Sequence, residues 1–242
     1  MRTNLYEDLY QTEDVHWWHR AKRAVVRKTV ETHLPPHSKL LDIGCGTGKN
    51  IESLASQYTV FGVDPAAEAR TFCAQRKLQN IYDGTAEALP FDQNTFDGVL
   101  FLDVLEHVDD TQALREAYRV LKKDAYLFIT VPAYQWLWSG WDAALHHKRR
   151  YTKETLVHLL KSEGFAVQKI SYFHSFLLVP LMVTRWIKSF FPSPEYASDF
   201  QLNNSFINSL LLFMSSLERR IITRYDVPFG TSILCVAQKA NQ

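Results

Sequence analysis

The run Leu40-Leu41-Asp42-Ile43-Gly44-Cys45-Gly46-Thr47-Gly48 restricts the fold more than any other segment of the chain. Apolar residues lead through an acid into glycines at alternate positions, so a buried strand ends in a turn whose backbone can come close to a ligand. In open parallel sheets such a turn stands at the carboxyl end of a strand, where ligands bind. Lys39 to Ile43 therefore reads as the strand, and Asn50 to Gln57 as the helix beyond the glycines.

The same alternation continues. Thr59 to Asp64 is a second strand, followed by Pro65 and a helix to about Lys77. Asn80 to Tyr82 and Phe96 to Leu102 are further strands, Ala113 to Leu121 has helical spacing, and Ala125 to Val131 is a fifth strand. Tyr151 to Glu163 reads as a helix capped by Thr152 and stopped by Gly164, with a strand from Phe165 to about Tyr172 after it. Ser232 to Ala237 closes the sheet. The expectation is an α/β fold with a doubly wound, mostly parallel seven-stranded sheet and an α-helical insertion before the last strand. In domain terms, residues 1–36 form an aromatic and basic helical lid and 37–173 the ligand-binding core. Residues 174–228 form the apolar insertion, and 229–242 return the final strand to the core.

Composition narrows the class. Of 242 residues, 46% are hydrophobic, 22% charged and 13% aromatic, as in a globular protein with a full core. Lysines and arginines number 27 against 26 acids, so no whole-protein field attracts nucleic acid, and none is expected as a partner. Cys45, Cys73 and Cys235 are few and widely spaced, which gives neither a disulfide framework nor a CxxC metal site; no metal is expected. The start of the chain lacks the apolar core of a secretion signal, which points to the cytoplasm. The apolar stretch from Phe176 to Ile187 meets Arg185 well short of the roughly 20 residues that cross a bilayer, though it could lie in a membrane interface.

Glycines alone do not choose a ligand, since the same turn serves nicotinamide and flavin dinucleotides. Asp42 would repel a pyrophosphate resting on the loop and suits a cationic ligand better. Asp64, ending the second strand, is placed to accept from both hydroxyls of a ribose.

Asp42 to Gly48 and Gly62-Val63-Asp64 resemble the first two motifs of the class I S-adenosylmethionine-dependent methyltransferases. Gly84-Thr85-Ala86-Glu87-Ala88-Leu89-Pro90-Phe91 is similar to that family's adenine-flanking loop, and Phe96 to Val108 to its fourth strand and exit. The resemblance implies a Rossmann-like fold and S-adenosylmethionine as cofactor, held by Asp42, Gly44, Cys45, Gly46, Gly48, Asp64 and Pro65. Thr85 and Ala86 would stand at the adenine, and Leu102 and Asp103 at the methionine side. Many relatives have aspartate where Thr85 stands, and a threonine hydroxyl accepts a hydrogen bond more weakly.

Because the sulfonium already activates the methyl group, the protein mainly supplies alignment, and a base is needed only for a protonated nucleophile. His107, just past the fourth strand, is one candidate base; its bland reading is that Glu106-His107-Val108 caps the next helix. His147 is the second candidate. It lies in Trp136 to Tyr151, where three indoles, two histidines and a Lys-Arg-Arg run open over the active-site edge. Asp142, His147, Arg149, Arg150, Tyr151 and Thr152 resemble a bacterial type 11-like subgroup with a His-x-Arg-Arg-Tyr stretch, often associated with cell-surface glycan and lipid genes. Relatives often have histidine where Trp141 stands. The resemblance implies substrate contacts at Trp138, Arg149, Arg150 and Tyr151, and a lid with Trp17, Trp18 and Arg20; the alternative is that the arginines pair with acids and the tryptophans are core.

Phe206 to Ile222 spaces its apolar residues as an amphipathic helix. With the segment from Phe176 it could dock on the sheet, form a homodimer interface, or cover an apolar substrate beside a membrane. The expectation is O-methylation of a small, lipid-linked or glycan-linked amphipathic acceptor. N- or C-methylation of a small metabolite, or cofactor binding without turnover, are the alternatives.

Overall fold

The computed structural model describes residues 3–190 and 204–240. Seven strands form one sheet: β1 (Lys39–Ile43), β2 (Thr59–Val63), β3 (Ile81–Tyr82), β4 (Phe96–Leu102), β5 (Leu121–Pro132), β6 (Phe165–Phe173) and β7 (Ser232–Lys239). Their order is β3-β2-β1-β4-β5-β7-β6, with β1 to β5 parallel and β7 antiparallel to both neighbours. The sheet is therefore mixed, and the last strand enters between β5 and β6 instead of closing an edge.

Side chains alternate across it, as strand geometry requires. Leu41, Ile43, Val99, Phe101, Leu127, Ile129, Ile233 and Cys235 face one core, shared with α5 (Asp110–Val120) and α7 (Lys153–Ser162). Leu40, Leu100, Leu102, Phe128 and Val236 face the other, under α2 (Trp17–His33), α3 (Lys49–Leu54) and α4 (Ala67–Gln75). Preceding these are α1 (Thr3–Thr12), which packs on α4, and in the loop after β5 the short α6 (Gly140–Ala144). Two helices, α8 (Leu178–Phe190) and α9 (Ser205–Ile222), lie between β6 and β7; the break expected at Phe191 to Pro194 falls outside the described residues. Val25, Phe173, Ile222, Val227 and Leu234 join α2, β6 and α9 in a third cluster. Among the described residues no helix is long and apolar enough to cross a membrane.

Two expected starting points move by three residues or more. The helix expected from Ala113 begins at Asp110, because Asp109 accepts a hydrogen bond from Gln112 N at 3.1 Å and caps a polar first turn that carries no apolar period. The strand expected from Ala125 begins at Leu121, directly after α5, because Leu121 pairs with Phe96 across a register shift although Lys122-Lys123-Asp124 looks like a turn.

Candidate active site

The glycine loop follows β1 with Gly44, Gly46 and Gly48 all at positive φ. Four of the five amides from Gly44 to Gly48 are spent within the protein: Gly44 and Cys45 donate to Val63 O at 2.8 and 3.1 Å, Gly48 to Cys45 O at 3.0 Å, and Gly46 to Asp64 Oδ2 at 2.9 Å. What the loop offers a ligand is therefore open space more than N–H groups. A Cβ at Gly46 would meet no atom within 4 Å, whereas at Gly48 it would lie 2.3 Å from Leu78 Cδ1, so the first glycine leaves a cradle and the second a packing contact.

Asp42 is 1% exposed and its Oδ2 has no hydrogen-bond partner. Burial, and then the nearby Asp64, push its carboxyl up to about 7. An unpartnered buried carboxylate beside an open loop calls for a cationic group, and this fits the ammonium of S-adenosylmethionine. Asp64 uses one oxygen on Gly46 N and the other on Ala66 N at 2.9 Å, which leaves further lone pairs for ribose hydroxyls. Pro65 and Thr85 are exposed, and Ala86 and Leu102 are buried.

The N-terminal helices reach this loop. Glu13 accepts from Thr47 Oγ1 at 2.7 and 2.8 Å and pairs with Arg76, while Arg76 Nε donates to Thr47 O at 3.0 Å. Lys22 pairs with Asp103, whose other oxygen accepts from Thr130 Oγ1 at 3.0 Å. Burial alone would raise the Asp103 carboxyl, but the Lys22 ammonium holds it below the usual range. Neither Glu13 nor Lys22 carries a local sequence signal, since each partner is distant in the chain.

At the exit of β4, the ring of His107 stands edge-on to that of His147, centroids 4.7 Å apart. Asp109, not His107, caps α5, so the helix does not account for His107. Burial, then the neighbouring His147, push its imidazole down to about 4, and it is neutral at pH 7. His147 Nδ1 lies 2.8 Å from Asp142 Oδ1. Asp142 also accepts from Arg150 Nε and Nη2 at 2.7 and 2.9 Å and from Ser139 N at 2.8 Å. Although burial opposes ionisation, these hydrogen bonds hold its carboxyl far below the ordinary range. An ionised Asp142 can only accept, so His147 Nδ1 carries the proton of this hydrogen bond. Glu106, fully buried with both oxygens unpartnered, is pushed well above the carboxylate range by burial. Glu106, His107 and His147 bring one donor atom each within 4.8 Å of one another, a spacing that a cation could use.

The remaining expected contacts divide. Arg150 is committed to Asp142 and Ala133 O, Arg149 to Asp110 at 2.6 Å, and Tyr151 donates to Asp110 Oδ2 at 2.8 Å. Trp17 is 1% exposed and Trp18 stacks on His174 with centroids 4.4 Å apart, while Trp138 is half-buried. Arg20 lines a separate basic cavity between α2 and α9.

A family model described as a methyltransferase domain matches residues 41–129. Demethylmenaquinone methyltransferase of Lactiplantibacillus plantarum is 30% identical over 165 residues, covering 56% of this chain and 70% of that protein. Ubiquinone biosynthesis O-methyltransferase of Bartonella tribocorum is 36% identical over 114 residues, 44% of this chain and 45% of that one. The chain spans about half the length of several such curated relatives. In fold it resembles a methyltransferase from Haloferax volcanii solved in complex with the Trm112 activator, with a TM-score of 0.64, 16% identity, and 99% and 95% of the two chains covered. With the motif-bearing loops in place on this sheet and a relative matched over most of its length, the chain belongs to the class I S-adenosylmethionine-dependent methyltransferases.

Proposed function

We propose that this protein transfers a methyl group to a hydroxyl oxygen of an amphipathic, lipid- or glycan-linked acceptor. Asp42 would take the cofactor's ammonium, Asp64 its ribose, Thr85 and Ala86 its adenine edge, and Leu102 with Asp103 the methionine side. When bound, S-adenosylmethionine supplies a methyl group already activated by positive charge, so the chain's own task is alignment and the acceptor's proton. His147 Nε2 receives that proton, and Asp142 holds the ring and stabilises the imidazolium as it forms. His107, neutral and edge-on, completes the wall.

Residues 1–36 act as the lid, latched by Glu13 to the glycine loop and by Lys22 to Asp103. The single observation that carries the oxygen assignment is the 2.8 Å contact of Asp142 with His147 at the exit of β4, because an acceptor that needs no deprotonation would not call for an oriented base. One relative is named an O-methyltransferase, and another an N-methyltransferase, so product analysis decides. The test incubates the protein with labelled S-adenosylmethionine and paired phenols or sugars, with and without an acyl tail. Label on oxygen, favoured by the tail, is expected. Label on nitrogen or carbon, or cofactor binding without transfer across the panel, would overturn the reading.

A further inference from the structure

Helix α9 has a second apolar face that the described residues leave exposed. Phe206, Leu210, Phe213, Leu217 and Ile221 recur at helical spacing and are 42% to 76% exposed. They form a stripe on the side away from Ser215, Glu218 and Ile222, which face inward. On α8, Val179, Met182, Val183 and Trp186 are likewise 47% to 67% exposed. An apolar stripe of this length is uncommon on a solvent-facing helix and marks an interaction site.

The charges beside it are mostly positive. A cavity of about 590 Å³ between α2 and α9 is lined by Arg20, Arg23, Arg27, Lys28, Arg219 and Arg220, with Glu31 the acid among its lining residues. Glu31 pairs with Arg27 at 2.8 Å and Asp14 with Arg23 at 3.7 Å, but Arg20, Lys28, Arg219 and Arg220 have no acidic partner among the described residues. The acid of α9, Glu218, is 6% exposed and turned inward, where it accepts from His174 N and Ser175 N at 2.7 Å. At its C-terminal end the stripe runs on to Arg224 and the 68% exposed Tyr225.

We propose that α8 and α9 dock on an anionic phospholipid surface, with the apolar stripe entering the headgroup boundary and the arginine-lined cavity taking lipid phosphates. An amphipathic helix such as α9, with a cationic flank and its one acid turned inward, is built for that boundary. A second copy of the chain fits less well, because a twofold interface on this face would bring like-charged arginine clusters together. Asn208 ties the docked helix to the lid, accepting from Trp17 N at 2.7 Å and donating to Val15 O at 3.0 Å. Docking therefore sits beside the element that would admit a lipid-linked acceptor, and that consequence alone rests on the methyl-transfer reading.

The experiment is co-sedimentation of the full chain with vesicles of phosphatidylglycerol and phosphatidylcholine, or of phosphatidylcholine alone, with S-adenosylhomocysteine calorimetry on each variant. Binding is expected to favour the anionic vesicles. Arg219→Gln with Arg220→Gln should weaken it roughly 30-fold, and Phe213→Ser with Leu217→Ser should abolish it, while S-adenosylhomocysteine affinity stays unchanged. Wild-type protein that binds S-adenosylhomocysteine but ignores anionic vesicles would overturn the proposal, as would a solution dimer broken by Phe213→Ser with no effect of lipid. Vesicle binding with no cofactor affinity would instead refute the methyl-transfer reading and leave the docking surface standing.

Discussion

Asp142 does for His147 what no contact of the ring with substrate could do: it sets the tautomer. Asp142→Asn keeps the shape but can donate to Nδ1 and put the proton on Nε2. The expected result is a fall in kcat of about 10²–10⁴-fold with KM nearly unchanged, read from steady-state transfer of labelled methyl. With His147 as the proposed base, activity should survive EDTA. Loss on chelation, restored by a divalent ion, would move the role to a cation held by Glu106, His107 and His147. At Asp42 the prediction concerns pH. With its carboxyl raised to about 7, the residue is largely protonated below that value, so affinity for S-adenosylmethionine should climb as pH rises through about 7 and then level off. Binding near pH 6.5 should release a proton, seen as a buffer-dependent heat in calorimetry, and Asp42→Asn should abolish it.

At the level of elements, α1 and α2 are held over the core by a few buried polar pairs that span long stretches of chain. Glu13, 4% exposed, joins Thr47 and Arg76 and thereby couples the N-terminal helices to the glycine loop. Glu13→Gln keeps the volume and removes the charge facing Arg76. It should cost about 1–3 kcal/mol at this latch, speed S-adenosylhomocysteine release in stopped-flow tryptophan fluorescence, and raise amide exchange in α1. Unchanged release would mean that the helix does not gate the site. Glu218 does the same for α8, accepting the amides of His174 and Ser175 just before it. In sequence Glu13 looks like an ordinary polar residue between two helices, and Glu218 like an ordinary polar position of an amphipathic helix. Their roles emerge only when the partner, dozens of residues away, is in view.

For the whole molecule, stability and cofactor affinity pull Asp42 in opposite directions. Its folded pKa, about 7, lies above the unfolded value of 3.8, so its contribution is fully present below the unfolded value and is lost as pH rises through 7. Asp42→Asn should therefore raise the stability of the ligand-free protein at pH 8, by about 4 kcal/mol, and leave it nearly unchanged at pH 4. Urea unfolding at the two pH values reads both. On the other side of the ledger, Phe128, 1% exposed, fills the core between the sheet and α2, and Phe128→Ala should destabilise by about 3–5 kcal/mol. A destabilised Phe128→Ala with normal S-adenosylhomocysteine affinity would separate core packing from the site.

The sequence by itself determined the strands, the glycine loop with its two acids, and hence the family. These are local patterns: alternation of apolar residues follows from strand geometry, and an acid before a glycine turn changes what the turn can bind, wherever it folds. Thr152 and Gly164 likewise bound α7 as expected, because caps and stops act within one turn. Tertiary structure alone decided the place of β7 between β5 and β6. It decided too that most of the loop's amides are spent internally and that Arg149 and Arg150 face acids of their own chain. It put Asp142 behind His147 and turned one face of α9 outward. Each of these depends on which distant segments share space, and composition and spacing carry no record of that.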